Sequence, residues 1–252
     1  MGSDFDEVRV VHASLRRLGR GVMVDVGAHH GQSLLRFAAD GWRVYAFEPD
    51  PVNRAVLEHR AGDRPNVTVD SRAVATRDDE MVTLYTSPVS TGISTLVPFH
   101  PSHRPAGQVG TVRLDTYLRQ VEEVTVLKTD AEGYDMPILR TFPWHRLKPR
   151  AVISEFEDSR SAQNGYTHKD IAEFLVARGY AVFVSEWYPV VEYGRRLRWR
   201  SIREYPTPLT DPRGWGNLIA VIPSDVGDLK QRLAGEGSWA GRVRRIASRI
   251  LR

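Results

Sequence analysis

The chain of 252 residues contains no cysteine, and it has no apolar run near the roughly twenty residues that a membrane-spanning helix needs. Without cysteine there is neither a disulfide framework nor a thiolate metal site. The first residues also lack the basic and then apolar pattern of a secretory signal. Together these absences predict a cytoplasmic protein.

Lysine is scarce as well, since it occurs only at positions 128, 148, 169 and 230 and arginine supplies the other positive charges. The formal net charge is +4. A basic balance is compatible with nucleic acid, anionic lipid or an acidic substrate as the partner. Because arginine bias is also typical of a GC-rich genome, the charge alone assigns no partner.

The most informative segment is an apolar strand at 22–26 that runs into a glycine-containing turn and a helix. The next strand ends on Glu48, whose carboxylate is placed to accept two hydrogen bonds from a ribose diol. A dinucleotide site would have a further glycine where the chain has His29. The looser spacing of Gly27 and Gly31 therefore predicts a different nucleoside site. The alternative is an ordinary strand–turn–helix whose glycines serve packing only.

Strands alternate with helices along most of the chain, which predicts an α/β fold with a doubly wound parallel sheet. We divide the chain into an N-terminal helix in 1–20, one large domain at 21–225 and a basic amphipathic helix at 226–252. The segment 87–110 has little periodicity and is predicted to be a long loop. Loops of this length inside a compact domain are usually functional or mobile.

Several short motifs occur in an order that resembles one enzyme family, the FkbM-type methyltransferases that depend on S-adenosylmethionine. The matching pieces are Asp25-Val26-Gly27-Ala28 with Gly31, Phe47-Glu48-Pro49-Asp50-Pro51, Leu114-Asp115, Lys128-x-Asp130-x-Glu132-Gly133, Ser154-Glu155 and Asn217-Leu218-Ile219-Ala220. The resemblance implies a Rossmann-like class I methyltransferase fold, with a seven-stranded sheet whose last strand is antiparallel and with helices on both faces. It also implies methyl transfer to oxygen, often on sugars, glycolipids or polyketide products.

The resemblance further implies a cofactor site for S-adenosylmethionine. In such a site Asp25 holds the ammonium group directly or through water, Gly27 lets the methionine half pass close to the backbone, and Glu48 binds the ribose. The residues assigned to the cofactor are Asp25, Gly27, Ala28, Gly31, Glu48, Pro49, Ala73 and Asp130. The chain departs from the family pattern at His29, where asparagine is usual.

An alkyl hydroxyl needs a base or a divalent metal to remove its proton. Asp130 and Glu155 follow neighbouring strands, about 4.8 Å apart in a parallel sheet, and could share Mg²⁺ with Glu157. We therefore predict Asp130, Glu155 and Glu157 as metal ligands, and Asp130, Glu155 and His30 as catalytic residues. Each of these carboxylates has a structural alternative. Asp130 would cap the following helix, Glu155 would form a surface salt bridge, and Glu157 would be a solvated loop acid, as would Asp158.

Other candidate bases are His100, His103, His145 and His168. The aromatic segment with Trp187, Tyr188, Tyr193, Trp199 and Tyr205 is compatible with sugar stacking or with core packing. The tail carries Leu229, Leu233, Trp239, Val243, Ile246, Ala247 and Ile250 among arginines, a pattern compatible with contact to the inner membrane surface.

The predicted partner is a small-molecule or glycan acceptor, with a homodimer as one candidate assembly. The acceptor is a sugar, glycolipid or polysaccharide precursor, or alternatively a polyketide or other secondary metabolite. A nucleic-acid methyltransferase is a further alternative, although it would carry an Asn/Asp-Pro-Pro-aromatic element where the chain has Asp130-Ala131-Glu132-Gly133. A binding module with a decayed site would lack Asp25, Glu48 or Asp130, and all three are present.

Overall fold

The computed structural model describes residues 5–193 and 196–235. The strands are β1 (Val22–Val26), β2 (Arg43–Phe47), β3 (Val67–Asp70), β4 (Ala73–Val74), β5 (Met81–Thr86), β6 (Arg104–Val112), β7 (Val126–Thr129), β8 (Ala151–Glu157), β9 (Ala181–Trp187), β10 (Trp199–Glu204) and β11 (Trp215–Val221). The helices are α1 (Glu7–Leu15), α2 (Leu35–Ala39), α3 (Pro51–Ala61), α4 (Leu114–Tyr117), α5 (Asp135–Thr141), α6 (Asp158–Ser161), α7 (His168–Val176) and α8 (Val226–Gly235).

The main sheet has the strand order β10-β9-β11-β8-β7-β1-β2-β3. Strands β3, β2, β1, β7 and β8 pair in parallel, and β11 is antiparallel to both β8 and β9. This is the predicted class I arrangement with its last strand antiparallel. The predicted count of seven strands is wrong by one, because β10 adds an antiparallel strand beside β9 at the sheet edge.

The predicted loop at 87–110 is partly a strand. Residues 104–112 form β6, which pairs antiparallel with β5 and parallel with β4 in a separate three-stranded sheet. Pro105, Gly107 and Gly110 interrupt the side-chain alternation that would have marked this strand in the sequence. The irregular part of the segment is therefore shorter and lies before β6.

Helices cover both faces of the main sheet, because successive side chains of a buried strand point to opposite faces. Val24 and Val26 of β1 pack into one apolar cluster, together with residues of α4, α5 and α7. Met23 packs into a second cluster with residues of α1, α2, α3 and α8. The two layers hold the carboxyl ends of the parallel strands at one edge.

Local sequence fixes where the helices near that edge begin. Asp6 accepts a hydrogen bond from the backbone N–H of Arg9 at 2.7 Å and caps α1. Asp50 accepts one from the backbone N–H of Val52 at 2.9 Å and caps α3, in which Pro51 is the first residue. Both are standard N-terminal signals, and both helices therefore start next to the strand ends.

Candidate active site

A cavity of about 430 Å³ opens at the carboxyl edge of the parallel strands. Ligands bind at this edge in open α/β sheets, and small-molecule sites measure about 300–1,000 Å³. The predicted site residues that line the cavity are Gly27, Ala28, Glu48, Pro49, Ala73, Asp130 and Glu155. Asp25, Gly31, His30 and Glu157 do not line it.

Gly27 forms the turn after β1 in a backbone conformation that only glycine tolerates there. Its φ is +75°, and a Cβ at this position would lie 1.8 Å from the carbonyl oxygen of Asp130. The backbone N–H groups of Gly27 and Ala28 both donate to the carbonyl oxygen of Phe47 at 3.1 Å. The turn is thus held between the end of β2 and the loop after β7.

His29 continues the turn with a φ of +48°. Asparagine, aspartate and histidine are the side chains most often found in this left-handed region. The replacement of the usual asparagine by His29 is therefore compatible with the backbone. Its Nε2 lies 3.1 Å from Thr91 Oγ1, and burial, followed by the neighbouring His30, lowers the pKa of His29 to about 4.

Glu48 lies at the end of β2, is buried and lines the cavity. Its Oε2 accepts from the backbone N–H of His29 at 2.7 Å, and its Oε1 accepts from the backbone N–H of Asp50 at 2.9 Å. Burial, and then the charges of Asp50 and Asp25, raise the pKa of Glu48 to about 7. Each carboxylate oxygen keeps a second lone pair, so Glu48 can accept two more hydrogen bonds from a diol.

Asp25 lies behind Lys128 rather than on the cavity surface. It is fully buried and accepts a hydrogen bond from Ser33 Oγ. Lys128 Nζ lies 3.2 Å from Asp25 Oδ1 and 3.3 Å from Asp130 Oδ2. A lysine of the chain already pairs with the carboxylate of Asp25, and the predicted contact of Asp25 with an ammonium group, directly or through water, stays a prediction.

Lys128 carries its charge between two carboxylates. Burial opposes protonation, but the charges of Asp130 and Asp25 outweigh burial and raise the pKa of Lys128. Asp130 is the exposed member of the group, with 37% of its side chain accessible. Asp130 thus presents a carboxylate to the cavity while Lys128 fixes it from behind.

Three carboxylates meet at the ends of β7 and β8. One oxygen each of Asp130, Glu132 and Glu155 lies within 4.8 Å of the others. Of the predicted metal ligands, Asp130 and Glu155 belong to this group and Glu157 lies outside it; the metal site itself stays a prediction. Glu157 instead lies 2.9 Å from the guanidinium of Arg160 and accepts from Ser159 Oγ at 2.9 Å.

Glu132 and Glu155 differ in how their charges are compensated. Glu132 forms a buried ion pair with Arg160 and has a φ of +54°. Among the described residues, no cation forms an ion pair with Glu155. Burial, and then the charges of Asp130 and Asp135, raise the pKa of Glu155 well above its ordinary value.

The candidate histidine bases make defined contacts, and their catalytic role stays a prediction. His30 lies beside the cavity, with its ring stacked on His29 at 3.7 Å between centroids. His103 accepts from two backbone N–H groups at 3.2 Å and contacts the carbonyl of Ile93 at 3.0 Å, which stabilises the segment before β6. His100 Nδ1 lies 2.6 Å from Ser102 Oγ.

The last two histidines, His145 and His168, do not line the cavity. His145 is exposed and precedes β8, so it is at the opposite edge of the sheet. His168 starts α7, and its Nδ1 lies 2.6 Å from Asp158 Oδ2. Asp158 also accepts from the backbone N–H of His168 at 2.6 Å, at the first residue of α7, so it is not a free loop acid.

The segment between β5 and β6 closes part of the cavity. Thr91 is held by His29 and also accepts from Asn53 Nδ2 at 2.9 Å through its carbonyl oxygen. Ser94 Oγ donates to Asp50 Oδ2 at 2.7 Å. The segment is thus fixed to the turn after β1 and to the start of α3, the two elements that surround Glu48.

The aromatic segment predicted for sugar stacking divides between the cavity and the core. Trp187 lines the cavity beside Trp215, and their rings stack with centroids 5.6 Å apart. Trp199 stacks on Phe5 at 4.3 Å instead. Tyr188 and Tyr205 do not line the cavity, and Tyr193 accepts from Arg160 at 3.1 Å.

Sequence reasoning missed site residues that are distant from the motifs. Glu7, at the start of α1, lines the cavity, and burial raises its pKa. Trp215 and Asn217 reach the cavity from β11. A clue existed only for Asn217, which belongs to one of the quoted motifs. Contacts between residues so far apart in the chain leave no local pattern in the sequence.

The sheet order, the glycine turn and the acid at the end of β2 define a class I methyltransferase that uses S-adenosylmethionine. A family model described as the Methyltransferase FkbM domain matches residues 25–182, more than half of the chain. The chain belongs to the FkbM methyltransferase family. No curated protein matches the sequence of the chain significantly.

Solved structures with a similar fold share little sequence with the chain. An O-methyltransferase from Bacillus cereus in complex with SAH has a TM-score of 0.45 and 12% identity, with 88% of this chain and 84% of that chain covered. The Geobacter metallireducens precorrin-6y C5,15-methyltransferase has a TM-score of 0.44, 14% identity and coverage of 85% and 86%. An rRNA methylase from Streptococcus thermophilus has a TM-score of 0.45, 12% identity and coverage of 86% and 98%.

The residues at the cavity fit the expected cofactor. Glu48 offers two acceptor oxygens for the ribose. Asn53 Oδ1, also at the cavity, is buried and has no hydrogen-bond partner within 5–193 and 196–235, so it can accept a donor from a bound molecule. A buried unpaired acceptor costs free energy until it is satisfied.

The C-terminal segment is described only as far as residue 235. Leu229 and Leu233, predicted as part of an apolar membrane face, are buried in the protein's own core. The other apolar residues of that prediction, at 239–250, lie outside the described residues. Within the described part of the chain, no helix is long and apolar enough to cross a membrane.

Proposed function

We propose that the protein transfers the methyl group of S-adenosylmethionine to a hydroxyl oxygen of a sugar, glycolipid or polysaccharide precursor. The observation that carries this proposal is Glu155, a buried carboxyl group without an ion-pair partner in the described part of the chain, at the cavity and beside Asp130. A hydroxyl acceptor needs a group that takes its proton, whereas the cofactor itself supplies a reactive methyl group on a sulfonium.

Glu155 accepts the hydroxyl proton as the bond between the acceptor oxygen and the methyl carbon forms and the bond between that carbon and sulfur breaks. Burial raises the pKa of Glu155 above the ordinary value of a glutamate, which makes its carboxylate a stronger base. Asp130 and Glu132 stay fixed by Lys128 and Arg160.

Mg²⁺ is the second candidate for activating the hydroxyl, and the grouping of three carboxylate oxygens within 4.8 Å favours it. Asp130, Glu132 and Glu155 are hard oxygen donors of the kind that Mg²⁺ prefers. A bound divalent ion would lower the pKa of the hydroxyl. The ion pairs of Asp130 and Glu132 already compensate two of the three charges, so we place the proton acceptor Glu155 first.

The test is methyl transfer from labelled S-adenosylmethionine to a panel of p-nitrophenyl glycosides, with and without EDTA, by wild type, Glu155→Gln and Glu122→Gln. Glu122 is exposed and lies before β7, at the other edge of the sheet. We expect Glu155→Gln to lower kcat by about 10²–10⁴-fold with unchanged affinity for S-adenosylhomocysteine, and Glu122→Gln to match wild type.

The outcomes separate the competing acceptors and activating groups. Activity that is lost in EDTA and restored by Mg²⁺ would assign activation to the metal. Turnover of a polyketide alcohol or an RNA, with none of the glycosides, would contradict the sugar acceptor. Full activity of Glu155→Gln would contradict its role as the base.

A further inference from the structure

The cavity has two ends that come from different parts of the chain. The end near Glu48 is built by residues inside the range 25–182 that matches the family model. The opposite end is built by residues outside that range, among them Glu7, Trp187, Trp215 and Asn217. The end of the cavity opposite Glu48, where the methyl acceptor would bind, is therefore built by residues that the family model does not cover.

Glu7 reaches this end from the N-terminal helix and is held rigidly. Its Oε1 accepts from Ser185 Oγ at 2.7 Å and from Trp187 Nε1 at 2.6 Å. The side chain of Asn217 also hydrogen-bonds to Glu7. Only 6% of Glu7 is exposed. The carboxyl group is thus fixed in position beside the stacked indoles of Trp187 and Trp215.

Sheet register relates Glu7 to the proposed base. Glu155 is opposite Asn217, and Asn217 is opposite Ser185, so the three residues form one row across β8, β11 and β9. Two strand spacings separate the ends of the row, about 10 Å. Because Glu7 binds Ser185 at one end and Glu155 occupies the other, a single sugar residue can extend between the two carboxyl groups.

The charge of the cavity selects among sugars. Its lining includes six carboxyl groups, those of Asp6, Glu7, Glu48, Asp130, Glu132 and Glu155. Asp130 is paired with Lys128, Glu132 with Arg160 and Asp6 with Arg36. No cation within the described part of the chain forms an ion pair with the other three, Glu7, Glu48 and Glu155. The carboxylate of an anionic sugar would be repelled by these groups, and burying it without a cationic partner would cost free energy.

We propose that Glu7, with Trp187 and Trp215, forms the acceptor subsite of this enzyme, and that this subsite takes a neutral or amino sugar and rejects an anionic one. Glu7 is the specificity-determining residue, because it accepts a hydrogen bond from a hydroxyl or ammonium group on the ring. The indoles cover an apolar ring face. This inference rests on the proposed function and names its substrate class.

The experiment uses saturation-transfer NMR on the full-length protein loaded with S-adenosylhomocysteine. The probes are the p-nitrophenyl β-glycosides of glucose, glucosamine and glucuronic acid, which are matched except for charge. In wild type and in the control Glu122→Gln, we expect binding of the glucoside and the glucosaminide, with the glucuronide at least tenfold weaker. In Glu7→Gln we expect the glucosaminide to lose at least fivefold in affinity and the glucoside less, with unchanged affinity for S-adenosylhomocysteine.

Trp187→Phe provides a second variant that keeps a ring but removes the donor to Glu7, and it should show a smaller change in the same direction. Glucuronide binding equal to that of the glucoside, unchanged selectivity in Glu7→Gln, or no binding of any probe would overturn the subsite. Glycosides that bind but are never methylated would instead contradict the proposed function. Methylation of a hydroxyl with unaltered selectivity in Glu7→Gln would contradict only the subsite.

Discussion

Replacing Gly27 by alanine tests the geometry on which the cofactor site depends. The added Cβ would lie 1.8 Å from the carbonyl oxygen of Asp130, a backbone atom that cannot rotate away. The loop after β7 would have to move, and Asp130 and Glu132 would move with it. We therefore expect Gly27→Ala to lose both stability and cofactor affinity.

The size of the effect has two parts. A left-handed conformation costs an L-residue about 1–2 kcal/mol, and overpacking against a fixed neighbour costs about 1–3 kcal/mol. The free energy of unfolding should therefore fall by about 2–5 kcal/mol. At about 2–4 °C per kcal/mol for a domain of this size, Tm should fall by roughly 4–20 °C.

Gly165→Ala is the matched control, because Gly165 has a φ of +73° and no atom lies within 4 Å of a Cβ placed there. It should cost only the backbone part, about 1–2 kcal/mol, and leave binding of S-adenosylhomocysteine unchanged. Thermal unfolding and isothermal titration calorimetry measure the two quantities. If Gly27→Ala is as stable as Gly165→Ala and binds S-adenosylhomocysteine like wild type, the close approach of the two loops is wrong.

Three further predictions concern ionisable groups. In the predicted site, ribose hydroxyls donate to the ionised form of Glu48, whose pKa is about 7. The affinity for S-adenosylhomocysteine should therefore fall below pH 7, by up to about tenfold per pH unit. An affinity that stays constant from pH 8 to pH 5 in calorimetry would contradict this. The proposed base Glu155 must be deprotonated to act, and its pKa is raised. We therefore expect kcat to be lost on acidification at a pH above the pKa of an ordinary glutamate; a profile controlled by a pKa near 4.5 would count against the proposal. Arg160→Met leaves the buried partner Glu132 unpaired and should lower the free energy of unfolding by about 3 kcal/mol in denaturant. The control Arg77→Met removes an exposed ion pair and should lower it by under about 1 kcal/mol. Equal losses in the two variants would refute the importance of burial.

The sequence predicted the central strands and the cofactor turn because their signals are local. The strand at 22–26 is apolar except for Asp25 and ends at Gly27, and a mostly apolar run of this length is typical of a strand buried on both faces. Glu48 was predicted because its type and its position at a strand end both suit a ribose.

The elements that sequence reasoning missed lack such local signals. Strand β10 lies at an edge of the sheet and contains two arginines. These polar residues interrupt the apolar pattern that predicts a strand. Lys128 was quoted in a motif, but its pairing with Asp25 depends on the register between β1 and β7. Glu7 and Trp187 are 180 residues apart, and only the packing of α1 on the sheet brings them together.

Titration of S-adenosylhomocysteine into wild type and Glu48→Gln by isothermal calorimetry tests the central claim most directly. We expect wild type to bind it, NAD to give no heat, and Glu48→Gln to lose about tenfold or more in affinity, since one charged acceptor is worth about 1.5–3 kcal/mol. Heat from NAD but none from S-adenosylhomocysteine, or equal binding by the two proteins, would contradict an adenosyl site at Glu48.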